Sequence, residues 1–134
     1  MPLTWAPPPS IGAAQSGVAV YRKWMDAISD NIANINTVRR SGESAYQAEY
    51  VLASTLPGGG AQVTGTALGS AEGRMVYEPD HPLADAQGYV RYPDIDLGDQ
   101  MGQLIMAQRG YQANLSMAER ARDAYSAALQ LGRG

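Results

Sequence analysis

Two heptad-spaced apolar stripes, one towards each end, limit what this chain can fold into. The first runs Ile11, Ala14, Val18, Tyr21, Met25, Ile28, Ile32 and Ile35, in steps of three and four. Such spacing marks a helix that must bury a narrow seam against another element. The second runs Leu97, Met101, Leu104, Tyr111, Leu115, Ala118, Tyr125 and Leu129, with polar Gln108 and Arg122 at two of its positions. A lone helix hides neither stripe, so the ends are expected to pair with each other and with neighbouring copies. Gln108 and Arg122 are expected to fix register, as one buried polar residue does in a coiled coil. The pattern favours a structural subunit over a self-contained enzyme.

The composition agrees with a chain that lacks a large core of its own. There is no Phe, and Tyr outnumbers Trp eight to two. Much of the apolar fraction is Ala, which buries little area but lets helices approach closely. Tyr, apolar in body and polar at its tip, suits partly wet interfaces. A length of 134 residues fits one domain. The net charge of −3 argues against a nucleic-acid binder. Arg39-Arg40, an adjacent basic pair, reads as two solvated loop charges. Without Cys there is no disulfide, zinc–thiolate site or thiol nucleophile. No apolar run reaches the length of about 18 residues that spans a bilayer. Residues 1 to 10 show neither a basic nor an apolar signal region, so they are not a cleavable secretory signal, and if the chain leaves the cytoplasm it is exported without a cleaved signal peptide.

Along the chain, residues 1–10 read as an extended Pro-rich arm, with Ser10 as a helix cap. Residues 11–37 read as an N-terminal helix running to about Asn36, on the order of 40 Å long. Residues 38–93 change character. Tyr46, Ala48, Tyr50 and Leu52 alternate as a strand does, and 62–68, 73–77 and 89–92 are further strand candidates. Residues 94–134 read as a second long helix region, the helix itself running from Leu97 to Leu131, with Asp94 or Asp96 as its cap, Asp99 in its first turn and Gly132 and Gly134 as its stop. The expected fold is mainly α: long N- and C-terminal helices pairing as a coiled coil, with a small β-rich or irregular middle insertion.

Catalytic chemistry is hard to place. His81 is the only histidine; it sits in a Glu-Pro-Asp-His-Pro turn with no nucleophile elbow elsewhere. Asp94, Asp96 and Asp99 lack the glycine and terminal glutamate of a calcium loop. Gly58-Gly59-Gly60 lacks the Gly-Lys-Ser/Thr that completes a phosphate loop. No catalytic residue, metal site or cofactor is therefore expected. Gly98 and Gly102, four apart, read either as a smooth packing face or as tolerated flexibility. Asn31, Asn34 and Asn36 read either as surface residues near a helix end or as amides tying that end to a partner backbone.

The run Ser29-Asp30-Asn31-Ile32-Ala33-Asn34-Ile35-Asn36-Thr37 resembles the N-terminal signature of the bacterial flagellar axial family, which covers rod and hook proteins. A second block, Val76-Tyr77-Glu78-Pro79-Asp80-His81-Pro82-Leu83-Ala84-Asp85-Ala86-Gln87-Gly88-Tyr89-Val90, is similar to the central motif of its proximal rod members. Arg109-Gly110-Tyr111-Gln112-Ala113-Asn114 continues the likeness. The opening residues, Val38 to Glu43, and Leu56 to Gly73 depart from it. The resemblance implies a torque-transmitting subunit of the proximal rod, exported by the flagellar type III apparatus into the periplasm or cell-wall zone. Its terminal helices would pack helically with other rod proteins and with copies of itself. Export apparatus and basal-body ring components are further implied partners; nucleic acid and a direct membrane span are not. Another rod position, or a helical export adaptor, is the alternative. The expected assembly surface comprises Ile11, Val18, Tyr21, Met25, Ile28, Asn31, Ile32, Asn34 and Ile35, with Leu97, Met101, Leu104, Gln108, Tyr111, Asn114, Leu115, Tyr125 and Leu129.

Overall fold

The computed structural model describes residues 9–133. Helix α1 spans Pro9–Ala33 and α2 spans Leu97–Gly132, and five strands lie between them. These are β1 (Arg39–Arg40), β2 (Glu49–Thr55), β3 (Ala61–Leu68), β4 (Arg74–Tyr77) and β5 (Tyr89–Tyr92). They form two antiparallel sheets, a three-stranded one of order β1-β5-β4 and the β2-β3 hairpin.

This overturns the expectation of a mainly α chain with a coiled-coil pair around a minor insertion. About 48% of the structure is helical and about 20% strand, so sheet is a principal component. The N-terminal helix is the short one, 25 residues against 36. It begins at Pro9, which places Ser10 inside it, and most of the expected Pro-rich arm lies outside the described residues. It stops at Ala33 rather than near Asn36 because the local side chains divert the backbone. Asn34 donates its side-chain amide to the Asp30 carbonyl at 2.9 Å. Bonds from Ile35 N–H to Ile32 O and from Thr37 N–H to Asn34 O then tighten the chain into turns.

α2 starts as its sequence foretells. Asp96 is the N-cap, its side chain accepting the Asp99 N–H at 3.2 Å. Asp99 lies in the first turn, at the positive end of the helix dipole.

Buried side chains gather where the end of α1, the start of α2 and the 45–48 connection meet. Ile28, Asn31, Ala45, Ala48, Ile95 and Gln100 are all buried. Val90 of β5 and Pro93 complete this centre. Gly73, at φ +59°, lets the chain turn into β4; a Cβ there would meet the Ala45 methyl at 2.6 Å. The centre is small, and much of the chain's apolar surface lies outside it.

Candidate assembly surface

α1 and α2 run antiparallel, and named contacts give their register. Gly17 faces Asn114, Tyr21 faces Gly110, and Asn31 faces Gln100. Glycine makes the closest approaches possible. A Cβ on Gly110 would lie 2.3 Å from Tyr21 Cζ, and one on Gly17 would lie 2.5 Å from Asn114 Oδ1. Gly102, by contrast, has open space where its Cβ would be, and Gly98 meets only the Asp96 side chain. The close packing of α2 is therefore at Gly110, and the Gly98/Gly102 pair has no helix against it in the single chain.

The polar members of this contact are arranged as specific bonds. Asn31, 1% exposed, donates to the Glu49 carbonyl at 3.0 Å and to Gln100 Oε1 at 3.1 Å. Its Oδ1 accepts the Glu49 N–H at 2.7 Å. One buried amide thus ties α1 to β2 and to α2. Trp24 donates its indole N–H to Gln103 Oε1 at 3.3 Å, and Gln103 donates to Asp99 at 2.9 Å. Arg22 lies over the Tyr111 ring at 5.9 Å and donates to its hydroxyl at 3.5 Å. That bond holds the Arg22 pKa above its ordinary value.

The α1 stripe turns inward. Ile11 and Ile28 are buried, and Val18, Tyr21, Met25, Ile32 and Ile35 are half-buried, as is Asn34. The α2 stripe divides. Leu104, Tyr111, Asn114 and Tyr125 are half-buried, whereas Leu97, Met101, Gln108, Leu115 and Leu129 are exposed. Gln108 and Arg122 are both exposed, so within one chain neither holds the helix register. The face that α2 turns towards α1 is small and polar: Gln100, Gln103, Ala107, Gly110 and Asn114. Heptad counting missed Gln100 and Gln103 because they are not apolar. It also missed Ile105, Met106, Met117 and Leu131, which are 48%, 55%, 56% and 84% exposed. The adjacent Leu104-Ile105-Met106 was their signal, since three consecutive apolar residues spread over most of a helix's circumference.

Two flanks of α2 are consequently left uncovered. Leu97, Met101 and Ile105, spaced by four, lie along one, with Leu115 on the same line. Met106 and Met117 lie along the other. On the first flank Ile11, Val18, Leu115 and Arg122 border an open groove between the helices.

The remaining polar residues have local roles. His81 Nδ1 accepts the Leu83 N–H at 3.0 Å, which settles the turn. Tyr92 donates to the Glu78 carboxylate at 2.9 and 3.0 Å, and Glu78 holds the Tyr92 pKa above its ordinary value. Asp85 Oδ1 accepts the Gln87 and Tyr89 N–H groups, both at 2.9 Å. The Tyr89 amide, followed by the Ser41 hydroxyl, lowers its pKa. Among the described residues no group of His, Asp and Glu is placed to hold a metal ion. No described helix is long and apolar enough to cross a membrane.

Residues 86–131 match the family described as the flagellar basal body rod FlgEFG protein C-terminal region. The chain is 33% identical to the flagellar basal-body rod protein FlgC of Salmonella typhimurium, over 89% of this chain and 92% of that one. It is 26% identical to the FlgC proteins of Borreliella burgdorferi and Bacillus subtilis, over 93% and 92% of its length.

Proposed function

This chain belongs to the family of the flagellar basal-body rod protein FlgC, and from that premise we propose that it stacks helically with other axial proteins to carry motor torque. The family is one of structural rod proteins and not of enzymes, and the basal body is its place. The finer reading concerns how the chain holds its neighbours. The observation that carries it is the pair of apolar flanks on α2, exposed in the single chain. A rod subunit must bury such area against other subunits, and here the area lies along one long helix, the form suited to stacking. The expected assembly residues fall into two groups under this reading. Ile11 to Ile35, with Leu104, Tyr111 and Asn114, hold the helices in place. Leu97, Met101, Leu115 and Leu129 meet neighbours, together with Ile105, Met106 and Met117. Gln108 and Arg122, both exposed on α2, would act between subunits. The neighbours are other rod proteins and further copies at the proximal end, reached through the flagellar type III apparatus.

The test is Leu115→Lys combined with Met117→Lys in a motile strain carrying this chain as its sole rod protein of the kind. Leu115 is 39% and Met117 56% exposed, so the isolated variant is expected to keep its circular dichroism. The expected result is loss of the chain from purified basal bodies and loss of swimming. A folded variant that is incorporated normally contradicts the proposal.

A further inference from the structure

The β2-β3 hairpin lacks the charges that ordinarily protect an exposed sheet. Residues 50–71 contain no Asp, Glu, Lys, Arg or His. No residue of either strand is buried, and Tyr50, Leu52, Val63 and Leu68 are exposed. A two-stranded hairpin gains little stability alone. The other sheet is guarded differently: its edge strands carry exposed Arg39, Arg40 and Arg74, the charges that keep edges from pairing with other chains.

Backbone alternation identifies which groups of the hairpin face outward. Gly69 N–H bonds to Ala48 O at 2.7 Å and Leu56 N–H to Gly60 O at 2.9 Å. With the observed register, these turn the backbone groups of Glu49, Val51, Ala53 and Thr55 away from β3, and those of Ala61, Val63, Thr66 and Leu68 away from β2. α1 crosses the hairpin obliquely and caps one end of each edge. Asn31 takes both outward groups of Glu49 at the base of β2. Ser16 Oγ accepts the outward Ala61 N–H at 3.0 Å at the start of β3. Left open are Val51, Ala53 and Thr55 on β2, and Val63, Thr66 and Leu68 on β3. The bulge opposite Leu52/Ala53 divides the open groups of β3, with Val63 on one side and Thr66 and Leu68 on the other.

We propose that the hairpin is a strand-addition site whose occupant is a second copy of this chain, with Thr66–Leu68 of one copy pairing along Ala53–Thr55 of the next. A strand edge is satisfied only by another extended backbone. The Ala53–Thr55 and Thr66–Leu68 stretches differ in sequence and lie on opposite edges. Pairing one with the other is therefore head-to-tail and leaves each copy with a free end, the geometry of an open row. Absence of charge on both removes repulsion between like copies. The inference rests on the rod-subunit reading and adds the contact that joins neighbouring copies.

The native chain has no cysteine, so introduced pairs report alone. Thr55→Cys with Thr66→Cys, and Ala53→Cys with Leu68→Cys, the pairs that antiparallel addition sets opposite each other, are oxidised in isolated basal bodies. A ladder of crosslinked copies from either pair, and none from the single variants, is expected. Leu68→Lys, at a position 59% exposed, is expected to keep the monomer's circular dichroism and cut incorporation at least tenfold. Basal bodies that contain the double variants yet give no ladder overturn the inference, as does normal incorporation of Leu68→Lys. If the wild-type chain is itself absent from basal bodies, the rod reading fails and the inference falls with it.

Discussion

Replacing Asn31 by Ala should destabilise the folded chain more than any other change in the Asn31-Ile32-Ala33-Asn34 run. Its amide makes three bonds, with the Glu49 carbonyl, the Glu49 N–H and Gln100 Oε1, at 3.0, 2.7 and 3.1 Å. A net contribution of about 1 kcal/mol for each gives a loss of about 3 kcal/mol. Gln100, also 1% exposed, is left with a buried unpaired amide oxygen, which keeps the loss from being smaller. The assay is urea unfolding followed by circular dichroism. With a slope of about 1.5 kcal/mol per molar urea, the midpoint should fall by about 2 M. Asn34→Ala is the control. It removes bonds of ordinary length to Asp30 O and Thr37 Oγ1, but at a half-exposed helix end where water replaces them, so its cost should be about 1 kcal/mol or less. A double-mutant cycle of Asn31→Ala with Gln100→Ala should show a coupling of about 1 kcal/mol. If Asn31→Ala costs no more than Asn34→Ala, the reasoning is refuted.

Three glycine and pH effects follow from the same geometry. Gly110→Ala, whose new methyl meets the Tyr21 ring at 2.3 Å, should destabilise by about 1–3 kcal/mol in thermal unfolding, overpacking outweighing helix propensity. Gly102→Ala meets nothing and should stabilise by up to about 1 kcal/mol, so the two substitutions should shift the midpoint in opposite directions. The folded Asp85 pKa is depressed, so its contribution is present above the ordinary carboxylate pKa of about 3.9 and lost as pH falls through the lower folded value. The stability advantage of the native chain over Asp85→Asn should therefore be flat from neutral pH to about pH 5, then vanish below the carboxylate range; an advantage that grows on acidification would contradict this.

How much of this was legible in the sequence differs between the two helices. On α1 the apolar stripe and the buried stripe coincide, because Ile11, Ile28 and their neighbours are the side chains that fill the space against α2. On α2 they diverge. There the facing positions are taken by Gln100, Gln103, Gly110 and Asn114, which contribute bonds and close approach in place of apolar volume. Periodicity counts apolar residues and cannot tell a face turned inward from one kept for a partner. β3, β4 and β5 lie within a residue of their expected bounds, since alternation and flanking turns are local signals. The joining of β1, β4 and β5 into one sheet was not legible, because Arg39-Arg40 pairs with residues some fifty positions away. The role of Asn31 was half visible: an amide tying a helix end to backbone was one reading, but the backbone proved to be the chain's own Glu49.

Methionine oxidation tests the central claim most directly, since α2 carries its reporters on the surface in question. Met101, Met106 and Met117 are 46%, 55% and 56% exposed, while Met25 on α1 is half-buried. In the free chain the three should oxidise readily with dilute peroxide and Met25 slowly. In isolated basal bodies the three should be protected at least tenfold. Equal oxidation in the free chain and in the basal body would mean that these flanks stay open to water, and the account would be wrong.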